Sequence, residues 1–127
     1  VKPDIIVLDM GDKFATSGTD RTDIYLKEAA IHARNIAKKY NCVIFWMSQL
    51  SAEAEGKINV NQSMLEGSKT GKAAEADLML LLSKNPDIEG QDINDPQRHI
   101  KLAKNKLTGW HGTVHVELDV QKGVYSA

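Results

Sequence analysis

Two polar residues follow apolar segments, at positions where a side chain can do chemistry. Asp9 comes directly after the run Ile5-Ile6-Val7-Leu8, and Gln49 comes shortly after the run 42–47. A carboxylate that closes a strand of a parallel sheet can hold Mg²⁺, or its water shell, beside the phosphates of a nucleotide. The simpler alternative is that Asp9 caps the next turn, helped by Gly11. The first segment alone leaves both interpretations open.

The segment between these residues predicts a strand, a helix and a second strand. Both apolar runs lack alternation, which is typical of strands that are covered on both faces. Residues 23–39 are predicted to be helical because apolar residues recur at spacings of three and four, and Asn41 can end that helix in the left-handed conformation. Such a unit implies parallel strands joined by a right-handed crossover. Asp9 and Gln49 should therefore lie at the same edge of the sheet.

The remainder of the chain is predicted to consist of loops and further strands. Residues 51–63 and 84–97 are rich in polar residues, which is typical of loops. Residues 78–82 form an unbroken apolar run, which predicts a third buried strand. The later strands are predicted to form antiparallel hairpins added to the parallel half, and they comprise residues 99–103, 113–118 and 124–125.

The glycine-containing segment 67–72 is rejected as a phosphate-binding P-loop. Its two glycines are separated by three residues where the motif has four, and Ala73 stands where Ser or Thr would bind Mg²⁺. An apolar strand does not precede it. We interpret the segment as a basic loop with Lys69 and Lys72 as its charged residues.

Composition limits the classes of partner. The net charge of −1 gives no overall attraction to nucleic acid or membrane, so contacts with phosphate must come from local basic clusters. The single cysteine excludes an internal disulfide and fits a reducing cytoplasm. No apolar run approaches the ~20 residues needed to span a bilayer, and a membrane is not an expected partner. The chain starts without Met and is expected to be a piece of a longer protein.

The order of these pieces resembles the RecA-like motor of DnaB-like replicative helicases, including the helicase half of phage primase-helicases. The matching pieces follow the family order along nearly the whole chain, and they are Ile5–Asp9, Ser48–Leu50, Leu65–Leu78 and Ala103–Gly109. The resemblance implies an α/β fold, a partial RecA-like P-loop NTPase core with a parallel βαβ unit followed by C-terminal antiparallel strands. Residues 1–127 would be a single domain, the C-terminal half of the motor from the Walker B strand onward, without Walker A.

The resemblance also implies four candidate catalytic residues. Asp9 would be the Walker B aspartate, which holds Mg²⁺ or its water, and Gln49 would be the polar sensor within reach of the γ-phosphate. Lys104 and Lys106 match the basic pair that reaches across a subunit interface to the neighbour's nucleotide. Lys106 stands where the family usually has arginine, and lysine cannot form the planar, bidentate fork of an arginine finger.

Three lysines are predicted to bind DNA. The resemblance places Lys57, in the loop after the second strand, toward a central channel where it would touch the backbone of single-stranded DNA. Lys69 or Lys72 could supply a charge to DNA or to phosphate. Residues 69–74 are one residue longer than the family pattern, and Ala74 stands about where a glutamine is often found. Departures of this kind from the family pattern favour a phage-type sequence.

The resemblance implies that the parent protein is an enzyme, an NTP-dependent replicative DNA helicase that couples hydrolysis to translocation on single-stranded DNA and duplex unwinding. Its expected cofactors are ATP or another NTP and Mg²⁺. Its expected partners are single-stranded DNA and further copies of itself in a hexameric ring, with primase as a further candidate. The expected location is the cytoplasm of a bacterial or phage-infected host cell. Without a P-loop, the chain alone is predicted to be inactive. Two alternatives stay open, namely another RecA-like ATPase, such as a recombinase or ring ATPase, and a non-catalytic assembly or binding domain derived from such a motor.

Overall fold

The structure, a computed structural model, describes residues 2–13, 22–67, 71–86 and 95–127. Two α-helices, α1 and α2, and six strands, β1 to β6, form within these ranges. In chain order they are β1 (Ile5–Leu8), α1 (Thr22–Tyr40), β2 (Val43–Trp46), α2 (Gly71–Glu75), β3 (Leu78–Lys84), β4 (Gln97–Asn105), β5 (Gly112–Asp119) and β6 (Val124–Ser126).

The chain separates into two compact units. The first comprises Val1–Ser51 and Ser63–Ala76, and the second comprises Ala52–Gln62 and Asp77–Ala127. The first unit holds β1, α1, β2 and α2, and the second holds the four remaining strands. The prediction that residues 1–127 form one domain stays a prediction.

The first unit is the predicted βαβ unit. Strands β1 and β2 pair in parallel, with Ile5 opposite Val43 and Leu8 opposite Trp46. Side chains from both strands and from α1 line an apolar cavity of about 220 Å³, and these include Ile6, Leu8, Ala29, Ala33, Ile36, Ile44 and Trp46. The helix therefore covers one face of the strand pair.

The opposite face of this strand pair is open in the described part of the chain. Its five apolar side chains are each more than half exposed, and they are Ile5, Val7, Val43, Phe45 and Met47. The prediction that both strands are covered on both faces is therefore wrong for the described residues, because α1 packs on one face alone.

Asn41 ends helix α1 as predicted. Its φ of 49° lies in the left-handed region. The N–H of Cys42 donates to the carbonyl of Ala37 at 3.0 Å, and the N–H of Asn41 donates to the carbonyl of Lys38 at 3.4 Å. These two bonds form a Schellman motif, which satisfies carbonyls that a helix end leaves unpaired. The chain therefore passes from α1 into β2 with almost no connecting loop.

The second unit is an antiparallel sheet in the order β3-β4-β5-β6, which confirms the predicted hairpins. The prediction of a buried third strand is correct for Leu81, which is 4% exposed, and wrong for Leu78, Leu80 and Leu82, which are 49–66% exposed. An antiparallel sheet can leave one face uncovered, so alternate residues of an apolar strand stay accessible. Of the predicted loop 84–97, residues 87–94 lie outside the described residues.

Residues 52–62 are attached to this sheet by hydrogen bonds from two strand side chains, and one apolar side chain of the segment is fully buried. Val60 is 1% exposed. The ammonium of Lys101 donates to Asn59 Oδ1 at 2.7 Å and to the carbonyl of Val60 at 3.1 Å. The hydroxyl of Ser83 donates to the carbonyl of Ile58 at 2.6 Å. The predicted loop is thus held in place along β3 and β4.

Both ring nitrogens of a buried histidine in this unit have hydrogen-bond partners. His99 is 7% exposed, its Nε2 lies 2.9 Å from Asn85 Oδ1, and its Nδ1 lies 2.7 Å from His115 Nδ1. Because the amide oxygen can only accept, Nε2 of His99 donates, and in the neutral ring Nδ1 accepts from His115. The amide of Asn85 in turn donates to Asp95 at 2.7 Å. These four side chains form one hydrogen-bonded chain, and we interpret its role as structural.

Truncating Val60 should loosen the attachment of residues 52–62. Val60→Ala removes buried methyl groups, and we expect the free energy of unfolding to fall by about 2 kcal/mol. Val120→Ala is the matched control, since Val120 is 63% exposed, and it should change stability by less than about 0.5 kcal/mol. Urea unfolding of both variants measures this. Equal effects would contradict the anchoring role of Val60.

Candidate functional site

The carboxyl ends of β1 and β2 lie side by side. The N–H of Met47 donates to the carbonyl of Leu8 at 3.0 Å, and the N–H of Gly11 donates to the carbonyl of Met47 at 3.0 Å. Asp9 directly follows β1, Gln49 lies three residues after β2, and both side chains are exposed. The prediction that they emerge at one edge of the sheet is confirmed, and their roles stay predictions.

A strained turn follows Asp9. Met10 has a φ of 54°, in the left-handed region of backbone conformation. Residues other than glycine rarely adopt this region, which costs them roughly 1–2 kcal/mol. Gly11 follows, and a Cβ at that position would lie 2.6 Å from the ring of Trp46. The chain therefore passes close over the end of β2, and only glycine fits at this point.

A buried ion pair lies at the same edge. Asp12 Oδ2 accepts from Lys72 Nζ at 2.8 Å and from Ser48 Oγ at 2.6 Å, while Oδ1 accepts from Trp46 Nε1 at 2.9 Å. The ammonium of Lys72 also donates to Ser48 Oγ at 2.7 Å and to the carbonyl of Glu66 at 2.8 Å. Lys72 is 7% exposed. We call these five residues the Asp12–Lys72 network.

The charges of the network are mutually dependent. Burial of Asp12 raises its pKa, but the hydrogen bonds from Lys72, Ser48 and Trp46, together with the lysine charge, hold the pKa below the ordinary value of 3.8. Both side chains are poorly hydrated, since 7% of Lys72 and 18% of Asp12 are exposed. Removing one partner would leave the other as an uncompensated buried charge.

Sequence reasoning missed this network. Asp12 and Ser48 lie within a few residues of the ends of the two parallel strands, which is a signal that both belong to the same edge. Lys72 is 60 residues from Asp12 in the chain and lies in helix α2, where the sequence predicts a loop. DNA binding by Lys72 would require its ion pair to break. Lys69 lies outside the described residues.

In the second unit, the turn after β4 is organised by Asn105. Its Oδ1 accepts from the backbone N–H groups of Leu107 at 3.0 Å and Thr108 at 3.1 Å. Its Nδ2 donates to Thr108 Oγ1 at 2.6 Å and to the carbonyl of Trp110 at 3.1 Å. Gly109 adopts a φ of 75°, which suits glycine in a tight turn. One amide side chain thus sets the path of the turn.

The predicted lysines of the second unit lie in or beside ordered backbone. Lys104 is half-buried within β4, because the strand extends to Asn105 rather than ending at residue 103 as predicted. The ammonium of Lys106 lies 3.6 Å from Asp77 Oδ1, and both side chains are more than 40% exposed. Lys57 is exposed, and its N–H donates to the carbonyl of Ala54 at 3.1 Å.

Comparison with solved structures identifies the fold. A solved structure described as an "ATPase Domain" matches with a TM-score of 0.81 and 18% identity, over 95% of this chain and 43% of that chain. The structure described as "The Structure Of A DnaB-Like Replicative Helicase And Its Interactions With Primase" matches with a TM-score of 0.79 and 19% identity, over 95% of this chain and 30% of that chain. No protein-family model matches the sequence, and no curated protein is significantly similar to it.

The chain therefore has the RecA-like α/β fold of DnaB-like helicase ATPase domains, as predicted. It spans less than half the length of either solved chain. In the part of the chain that the structure describes, neither helix combines the length and apolar character needed to cross a membrane.

The lowered pKa of Asp12 predicts a contribution to stability that depends on pH. The ionised form is favoured by folding, so the contribution is fully present above the unfolded value of 3.8 and is lost as the pH falls through the lower folded pKa. The free energy of unfolding should decline in that acidic window, and the decline should be smaller in Asp12→Asn. Unfolding curves of both proteins across the window measure the difference, and identical slopes would contradict the assignment.

Proposed function

We propose that the chain is part of the ATPase motor of a replicative DNA helicase, which couples NTP hydrolysis to translocation on single-stranded DNA and unwinding of duplex. The observation that carries this proposal is the shared strand edge. Two parallel strands present an exposed carboxylate and an exposed amide there, Asp9 and Gln49, in a fold of the type found in helicase ATPase domains. Ligands of open α/β sheets bind at this edge.

The residues at the edge fit a nucleotide with Mg²⁺. This ion usually takes one or two protein carboxylates and completes its shell with phosphate oxygens and water, so the exposed carboxylate of Asp9 is a suitable ligand. When bound, Mg²⁺ would neutralise the charge that develops on the phosphates. The amide of Gln49 can donate to a phosphate oxygen or orient an attacking water. The sequence has no Walker A motif, so the parent protein would supply the P-loop.

The open face of the β1–β2 pair supports a larger parent core. Five apolar side chains on this face are each more than half exposed, and exposed apolar surface of this kind marks a contact site. In the proposed parent, further elements of the motor would cover it. The two matched solved chains are both more than twice as long as this chain, which agrees with that proposal.

The turn after β4 suits the proposed contact with a neighbouring subunit's nucleotide. Asn105 holds the turn through four hydrogen bonds, so Lys106 projects from a defined backbone. Its ion pair with Asp77 is long and exposed, and such pairs are weak enough to exchange for another anion. A phosphate from the next copy in a ring, with Lys104 alongside, is the anion we propose.

The proposed DNA contact is made by Lys57. It is exposed, and it follows a tight turn at Gly56 with a φ of 68°. The segment that carries it is anchored through Val60 and Lys101, so the charge is presented from a fixed support. Binding to phosphates would be electrostatic and independent of sequence. Assembly into a hexameric ring and contact with primase are further parts of this proposal.

Replacing Asp9 in the full-length parent protein tests the metal role. Asp9→Asn should lower the rate of NTP turnover by about 100-fold or more, because a neutral amide is a poorer ligand for Mg²⁺ than a carboxylate. Asp4→Asn is the matched control, since Asp4 is an exposed aspartate at the opposite end of the same strand, and its turnover should not change. Unchanged turnover in Asp9→Asn would favour a non-catalytic assembly domain. Turnover that is indifferent to DNA would favour another RecA-like ATPase.

Replacing Lys106 tests the contact between subunits. Lys106→Ala should lower DNA-stimulated turnover by about tenfold or more, while Lys106→Arg should keep or raise it because guanidinium binds phosphate in a bidentate manner. Lys122→Ala is the control, since Lys122 is an exposed lysine already paired with Asp119. Assays of mixed assemblies, in which Lys106→Ala subunits are combined with Asp9→Asn subunits, should recover part of the activity. Full activity of Lys106→Ala alone would contradict the proposal.

A further inference from the structure

We infer that Lys72 is a positioning residue for the candidate nucleotide site. Its buried ammonium joins three segments of the chain, and two of them carry Gln49 and the turn that follows Asp9. The catalytic consequence rests on the proposed function, whereas the structural consequence rests on the contacts of the first unit alone.

The segment of Gln49 is held by Lys72 on both sides. The ammonium donates to the hydroxyl of Ser48, the residue before Gln49, at 2.7 Å. It also donates to the carbonyl of Glu66 at 2.8 Å, and the N–H of Glu66 donates to the carbonyl of Gln49 at 3.2 Å. The backbone of Gln49 therefore lies between two groups that are both bound to the same ammonium.

The turn after Asp9 is held through Asp12. Lys72 binds the carboxylate of Asp12 at 2.8 Å, and the intervening backbone has little freedom, because Met10 is left-handed and Gly11 donates to the carbonyl of Met47 at 3.0 Å. Fixing Asp12 closes this short turn at its far end. The position of Asp9 at the strand edge is thereby determined from both directions.

Helix α2, which carries Lys72, is held in place by contacts with α1. The helix has five residues, which is too short to be stable without tertiary contacts. At its end, the guanidinium of Arg34 in α1 donates to the carbonyl of Glu75, and Arg34 Nε lies 3.8 Å from Glu75 Oε2. The helix is thus held between α1 and the strand edge.

Lysine is the residue type that this position needs. An ammonium has three donors around one atom, and here Asp12, Ser48 and Glu66 supply one acceptor each. A planar guanidinium is larger and cannot direct its donors in this way. Methionine retains much of the side-chain length but leaves the carboxylate of Asp12 without its charge partner.

The structural test measures amide hydrogen exchange in the 127-residue chain. In Lys72→Met we expect exchange at Gly11 and Glu66, whose N–H groups pair at the strand edge, to accelerate by about tenfold or more. Cys42, whose N–H bonds to Ala37 at the other end of β2, should keep its protection. Lys38→Met is the control variant, since Lys38 is an exposed lysine of the same unit, and none of these amides should change in it. Unchanged protection at Gly11 and Glu66, or an equal loss at Cys42, would overturn the inference.

The catalytic test uses the full-length parent protein with Lys72→Met, Asp12→Asn and the double variant. In Lys72→Met, kcat should fall by about 10- to 100-fold, as for a misplaced reactive group, with a much smaller change in KM. The double variant should recover thermal stability, because no uncompensated charge is left buried, while kcat stays low, because the three segments are no longer joined.

Recovery of kcat together with stability in the double variant would assign Lys72 a merely structural role and overturn the inference. If the unmodified parent does not turn over NTP at all, the proposed function fails, and the exchange measurement alone decides whether Lys72 positions the strand edge.

Discussion

The parallel register of β1 and β2 is the constraint on which the site depends. Leu8 lies opposite Trp46, so the residues that follow each strand leave the sheet at the same edge. A shift of one residue would move every side chain to the other face of the strand. Helix α1 ends in a Schellman motif at Asn41, so that β2 begins at this register. At the other end of the strands, the absence of a side chain at Gly11 lets the backbone pass close to the Trp46 ring and turn over the strand end.

The Asp12–Lys72 network converts this shared edge into a specific arrangement. A buried ion pair is not by itself strongly stabilising, because the loss of hydration offsets much of the attraction. Its effect is on geometry, since the low local dielectric makes any arrangement without the pair unfavourable. Each oxygen that Lys72 contacts belongs to a different segment, so a single ammonium selects one relative position of three segments.

The antiparallel unit uses the same principle at its loops. Asn105 sets the turn after β4 through its side-chain amide, and Lys101 holds residues 59–60 against β4. In both places a polar side chain satisfies backbone groups that strand pairing leaves open. Charged residues such as Lys57 and Lys106 are therefore presented from ordered backbone, which is the form in which a loop can bind phosphate with a defined geometry.

The sequence by itself determined the βαβ unit, the left-handed end of α1 at Asn41, the antiparallel hairpins and the shared edge of Asp9 and Gln49. These features follow from apolar periodicity and local backbone preference, which act over a few residues and are visible in the chain. Tertiary structure alone decided that, among the described residues, one face of β1 and β2 stays open and that Lys72 is buried against Asp12. Both outcomes depend on which segments meet in space, and a contact across 60 residues leaves no periodic trace in either segment.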